Sequence, residues 1–169
     1  MTKILIPSET SSGERRVSAT PEAVKKLKSL GCDVYIESSA GKLSGFSDLL
    51  YEESGGTIIN NLDKKIWGEA DLIFCVQTPL EDNLTKLKKG AVLLGLLNPY
   101  GNKDLLRIIN SNKISVLSLE LLPRISRAQS SDVLSSQANI AGYKAVLLAA
   151  SELDRYFPML MTAAGTVQP

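Results

Sequence analysis

The feature that most restricts this chain is an alternation. Short apolar runs at 3–6, 33–37, 57–59, 71–76, 91–97 and 114–117 each stop at polar residues, and stretches of helical spacing lie between several of them. Thr20-Pro21-Glu22 marks a helix start: a hydroxyl cap, a proline in the first turn and an acid beside it. Ala23, Val24, Leu27 and Leu30 follow at helical spacing, and Gly31 closes the segment. Further helices are expected at 48–54, 81–87 and 103–111, with a turn or short helix at 63–67. This order predicts an α/β fold: a mostly parallel sheet of about six strands with helices on both faces, a flavodoxin-like or Rossmann-like layered domain. Ligands of such sheets sit beyond the carboxyl ends of the strands. Four of those ends carry polar residues: Ser8 and Glu9, Gln77-Thr78, Asn98-Pro99-Tyr100, and the stretch from Glu120 to Asp132. They are either the walls of one cleft or ordinary polar loops.

The stretch 123–150 organises the rest. Its first fourteen residues hold two arginines, a glutamine, an aspartate and five serines, and it then becomes an apolar, alanine-rich helix. The free N–H groups of a first helical turn, added to such side chains, can hold a small polar ligand. The alternative is a richly capped helix start. The organisation expected is an α/β domain over 1–135, a connecting helix over 136–157 in which Ser151 to Tyr156 continue the helical run, and a linker over 158–169 after the break at Phe157-Pro158.

Composition removes several chemistries. Among 169 residues there is no histidine, so the commonest general base and metal ligand is absent and a Ser-His-Asp triad cannot form. The net charge of +1 is spread along the chain and indicates no nucleic-acid surface. Cys32 and Cys75 read as reduced core residues, not as a disulfide or a metal pair. The sequence has no GxGxxG, no Walker motif and no GxSxG. No apolar stretch is long enough for a membrane span, and a cytoplasmic location follows by default. The adjacent acids Glu52-Glu53 and Glu81-Asp82 belong to solvated helix faces. On residues alone this is a layered domain with a polar cleft lined by amides, arginines and hydroxyls.

Two segments go beyond pattern. The run 14–21, ERRVSATP, with GCDVYIESSAG and SGFSD after it, resembles the opening of the alanine dehydrogenase and transhydrogenase superfamily. RISRAQSSDVLSSQANIAGYKAV is similar to a signature of one branch, the α subunit of proton-translocating NAD(P) transhydrogenase, which binds NAD(H). MTAAGTVQP resembles the segment that leads into that family's Rossmann domain. In the alanine dehydrogenase branch a lysine and a histidine stand at two strand ends; this chain has Gln77 and Asn98 there. A neutral amide neither gives nor takes a proton in such chemistry, so amino acid oxidation is disfavoured. Arg16, which binds the substrate carboxylate in that branch, is retained, but an arginine can equally pair with a carboxylate of its own protein.

The resemblance implies roles at named positions. Arg124 matches an arginine near the nicotinamide, and Gln129 a glutamine that orients the dihydronicotinamide for hydride transfer. Asp132 and Ser135 match residues around the nicotinamide carboxamide. Ser131 departs from the apolar residue usual there. The cofactor implied is NAD(H), with NADP(H) on a partner subunit and no metal. The partners implied are an NADP-binding β subunit and membrane-embedded subunits, with a homodimer of the complete component and a peripheral cytoplasmic location. The family's glycine-rich loop would follow Pro169, so this stretch alone is expected to be incomplete at its C-terminal end and to bind NAD weakly or not at all. The competing readings are an alanine dehydrogenase-like amino acid oxidoreductase and a non-catalytic remnant that only binds.

Overall fold

The structure, a computed structural model, describes residues 1–60 and 64–169. They form two compact units, Met1–Leu122 and Pro123–Pro169.

The first unit runs β1 (Lys3–Ile6), α1 (Pro21–Ser29), β2 (Asp33–Glu37), α2 (Asp48–Glu53), β3 (Thr57–Ile59), α3 (Lys65–Glu69), β4 (Leu72–Phe74), α4 (Glu81–Leu84), β5 (Val92–Gly95), α5 (Lys103–Asn112) and β6 (Ser115–Ser118). The six strands form one sheet in the order β3-β2-β1-β4-β5-β6, and every pairing is parallel. Chain order therefore reverses between β1 and β4, the switch point of a doubly wound sheet.

Alternation along the strands divides the core by face. Ile4, Ile6, Val34 and Ile36 pack with Val24 of α1 and Tyr51 of α2. Leu5, Ile73 and Leu93 point the other way, onto Ile66 and Trp67 of α3, Leu84 of α4, and Leu105 and Ile108 of α5. Helices thus cover both faces, as the alternation requires. Cys75 is buried and Cys32 half-buried, and both are free. Gly95 closes the gap between β4 and β5: a Cβ there would lie 2.7 Å from the Cys75 carbonyl oxygen and 2.8 Å from its sulfur.

The helix starts follow their caps. Thr20 Oγ1 accepts from the Ala23 N–H at 3.3 Å ahead of Pro21, and Ser47 and Asn102 cap α2 and α5 in the same manner. The segment expected at 81–87 is helical only over Glu81–Leu84, and the chain goes over into a turn at Thr85 and Lys86. Of the turn or helix expected at 63–67, Asp63 lies outside the described residues, and α3 covers Lys65–Glu69.

The second unit holds a 3₁₀ turn at Ser126–Ser131, α6 (Val133–Glu152) and an antiparallel hairpin of β7 (Leu160–Thr162) and β8 (Gly165–Val167). The helix expected over 136–157 begins three residues earlier, at Val133, and ends five earlier, at Glu152. The early start is fixed by the cap at Asp132. The early end lies where the backbone of Leu153 turns extended, at φ −89° and ψ 122°, ahead of Pro158. The stretch expected as a linker, 158–169, carries the hairpin, with Ala163 and Ala164 forming a turn that the Thr162 hydroxyl braces.

Candidate functional site

Within the first unit, the carboxyl ends of β1, β4, β5 and β6 are joined side by side. Glu9, three residues past β1, reaches across the switch point: one carboxylate oxygen accepts the Val76 N–H at 2.6 Å and the other the Gln77 N–H at 3.0 Å. Thr78 donates its hydroxyl to the Leu97 carbonyl at 3.1 Å, which ties the β4 end to the β5 end. The Asn98 N–H donates to Glu120, and Ser118 donates to the same carboxylate at 2.8 Å, which ties β5 to β6. Asn98 holds φ at +44°, a conformation asparagine accepts better than most residues, and its side chain lies where a Cβ on Gly101 would stand.

Beside this row, Arg16 forks onto Glu14, its Nε and Nη2 donating to the two carboxylate oxygens at 2.7 and 2.6 Å. Two backbone N–H groups, of Arg15 and Arg16, also donate to Glu14, and Gln77 Nε2 donates to it at 3.1 Å. Paired and planar contacts of this kind are the strong form of the ion pair. They hold the Glu14 carboxyl at about 2, with the Arg16 hydrogen bond the largest cause. Because ionised Glu14 only accepts, the amide nitrogen of Gln77 must face it, and the Gln77 carbonyl oxygen is turned away. Glu9 moves the opposite way: burial raises its carboxyl above the usual range, against the pull of the two amides it accepts from. Burial also works against charge on Glu120, yet its hydrogen bonds from Ser118 and the backbone hold it below the ordinary value. Cys75, buried next to Glu9, is pushed far up and stays a thiol.

A second buried carboxylate stands behind the row. Glu37, at the end of β2, is 4% exposed and accepts the Ser8 N–H at 3.0 Å and the Trp67 indole N–H at 3.1 Å, with Lys64 3.5 Å away. It holds together the β1 turn, β2 and α3.

In the second unit, Arg124 and Gln129 are exposed. Asp132 caps α6: one carboxylate oxygen accepts the Leu134 and Ser135 N–H groups, both at 3.1 Å, and the other accepts the Ser135 hydroxyl at 2.6 Å. Those bonds, the Ser135 hydroxyl first, hold the Asp132 carboxyl below its usual value, with a smaller pull from Arg124. Asp132 and Ser135 therefore touch each other. No histidine, cysteine, aspartate or glutamate cluster fit for a metal stands among the described residues, and no helix among them is long and apolar enough to cross a membrane.

The carboxylates Glu14 and Glu37 join Glu9 and Glu120 in holding the polar edge of the first unit, and sequence reasoning assigned neither a role of its own. The Glu-x-Arg spacing at 14–16 is a visible signal for the first. Nothing in a β2 residue such as Glu37 announces that it turns inward.

The family profile described as "Alanine dehydrogenase/PNT, N-terminal domain" matches residues 5–141. This chain belongs to that family. Its relatives include the first portion of the NAD(P) transhydrogenase α subunit of Rhodospirillum rubrum, 44% identical over 99% of this chain and 44% of that protein. A solved transhydrogenase from Sinorhizobium meliloti is 43% identical, with a TM-score of 0.87 over 98% of this chain and 47% of that one. "Alanine dehydrogenase 1" of Staphylococcus aureus is more distant, 31% identical over 87% of this chain and 38% of that protein. This family member thus spans less than half the length of the relatives it matches. The resemblance to the transhydrogenase branch and the layered parallel α/β fold are both shown by these matches.

Proposed function

We propose that this chain works in the NAD(H)-binding component of a proton-translocating transhydrogenase. There, hydride passes between NAD(H) and NADP(H), and the transfer is coupled to proton movement across a membrane. The observation that carries the reading is the match over 98% of the chain, at 43% identity and a TM-score of 0.87, to a solved transhydrogenase. The neutral strand ends at Gln77 and Asn98 favour it over amino acid oxidation, which needs a group that exchanges a proton with its substrate. The partners in this reading are an NADP(H)-binding β subunit and membrane-embedded subunits. The component is a homodimer, cytoplasmic and peripheral to the membrane.

The residues of the second unit fit a nicotinamide by their donor set. An exposed glutamine amide such as that of Gln129 carries N–H donors and a carbonyl acceptor, the complement of a planar carboxamide. Asp132 uses three of about four acceptor positions on its cap, which leaves one for a ligand N–H. Arg124 contributes positive charge near that carboxylate. When bound, the dihydronicotinamide supplies the hydride. Gln129 orients the ring, Asp132 and Ser135 hold its carboxamide, and Arg124 biases the charge around it. No side chain needs to ionise during transfer, so the work is alignment and exclusion of water.

The test replaces the matching segment of the R. rubrum α subunit with these 169 residues. The hybrid is expected to transfer hydride from NADH to an NADP analogue, and Gln129→Ala to lower kcat by about 10–100-fold, the cost of a misaligned ring. A hybrid that binds NADH yet transfers no hydride, or that oxidises L-alanine, overturns the reading. The 169-residue chain by itself is expected to show no saturable NADH binding by calorimetry, since it carries no glycine-rich phosphate loop.

A further inference from the structure

The sheet order puts a crevice between the ends of β1 and β4, where doubly wound sheets take the phosphates of their ligands. Four features of this crevice differ from a phosphate site. Its two outward amides, Val76 and Gln77, already donate to the Glu9 carboxylate at 2.6 and 3.0 Å. The amide on the β1 side, Ser8, donates to the buried Glu37 at 3.0 Å. The space between Pro7, Glu9, Cys75, Gln77 and Thr78 is about 10 Å³, enough for roughly one water. The helix after β1 also starts late: β1 ends at Ile6 and α1 begins only at Pro21, so α1 does not open directly from the strand end as the helix of a phosphate-binding turn does.

We infer that Glu9 is a tethered oxyanion seated on the Val76 and Gln77 amides, and that it excludes phosphates and small carboxylates from the switch point of this unit. Two successive backbone N–H groups at a strand end are an anion seat in their own right. Here the chain fills that seat with its own side chain. Glu9 is a specificity residue that works by occupation. The inference stands apart from the hydride-transfer reading, because its probe is inorganic phosphate and its readout is two backbone amides.

The experiment titrates phosphate and pyrophosphate into the 169-residue chain and into Glu9→Ala, following the Val76 and Gln77 amide resonances. In the unaltered chain those resonances are expected to stay put. In Glu9→Ala both are expected to shift saturably, with binding at least roughly tenfold tighter than in the unaltered chain. Glu9→Gln, which keeps a carbonyl oxygen over the seat, is expected to behave like the unaltered chain. Saturable shifts in the unaltered chain overturn the inference, and so does a folded Glu9→Ala whose two amides do not respond. Should Glu9→Ala fail to fold, Glu9→Ser opens the same seat with a shorter polar side chain, and the same two outcomes decide.

Discussion

Helix α5 carries its apolar residues on one stripe. Leu105 and Ile108 are buried in the sheet's core, while Asp104 and Arg107 pair with each other on the solvent side. Helix α6 is twice as long, and none of its residues is buried. Ile140, Tyr143, Val146, Leu147 and Leu148, five of its large apolar residues, are all exposed, and they point around the helix instead of along one side. A one-sided stripe is a sequence written for a surface helix, whereas apolar residues all round are written for burial from several directions. The two helices differ in what they ask of their surroundings, and of the two only α5 has its demand met.

The largest expected effect breaks the comparison if it fails. Leu105→Ala in α5 is expected to lower unfolding stability by about 2–5 kcal/mol, the cost of a cavity in packed surroundings. Leu147→Ala in α6 is expected to change it by less than about 0.5 kcal/mol. Urea unfolding of both variants checks this, and a Leu147 cost that matches Leu105 would show α6 packed in solution.

The second prediction asks whether the cohesion around α5 extends to the polar edge of its own unit. Glu14 is held down at about 2, so its ion pair stabilises the fold fully above the ordinary carboxylate value near 4.5. That stability is lost as pH falls from there through about 2. The loss is on the order of 1–3 kcal/mol, allowing for the part of Arg16 that faces solvent. Glu14→Gln removes this part of the acid limb in unfolding measured against pH.

A smaller effect sharpens the α6 side. An apolar dye is expected to brighten on the 169-residue chain near neutral pH, and Leu147→Asp with Val146→Asp to remove most of that signal while urea midpoints stay within error. The smallest concerns the start of α6. Asp132→Ala is expected to speed hydrogen exchange at the Leu134 and Ser135 amides, which lose their acceptor, and to leave the exchange of β1 and β4 unchanged.

Much of the first unit was legible because period-two runs and capped helices are local signals. Thr20-Pro21 starts α1, and Ile4, Leu5 and Ile6 alternate between two cores as their spacing requires. Strand order was not legible: nothing local to β4 says that it lies beside β1 and not beside β3, and that adjacency decides where the crevice opens. At the strand ends, Glu9, Gln77 and Asn98 could be placed from the alternation alone. Glu9's reach to two amides could not, since it depends on atoms 67 and 68 residues away in sequence. The pairing of Arg16 with Glu14 was open from sequence, because a guanidinium accepts any well-placed carboxylate. The extent of α6 is not legible at either end: one aspartate side chain sets its start, and the apolar pattern runs on past Leu153, where the backbone turns extended.

Gly95 sets how firmly the rim of the sheet is clamped. A single methyl group there would press on the Cys75 carbonyl and sulfur and act as a wedge between two neighbouring strands just before Gln77 and Asn98 begin. Residue 95 is thus a neutral handle for protein engineers: it offers a means of loosening the mouth of this domain mechanically while leaving its charges untouched.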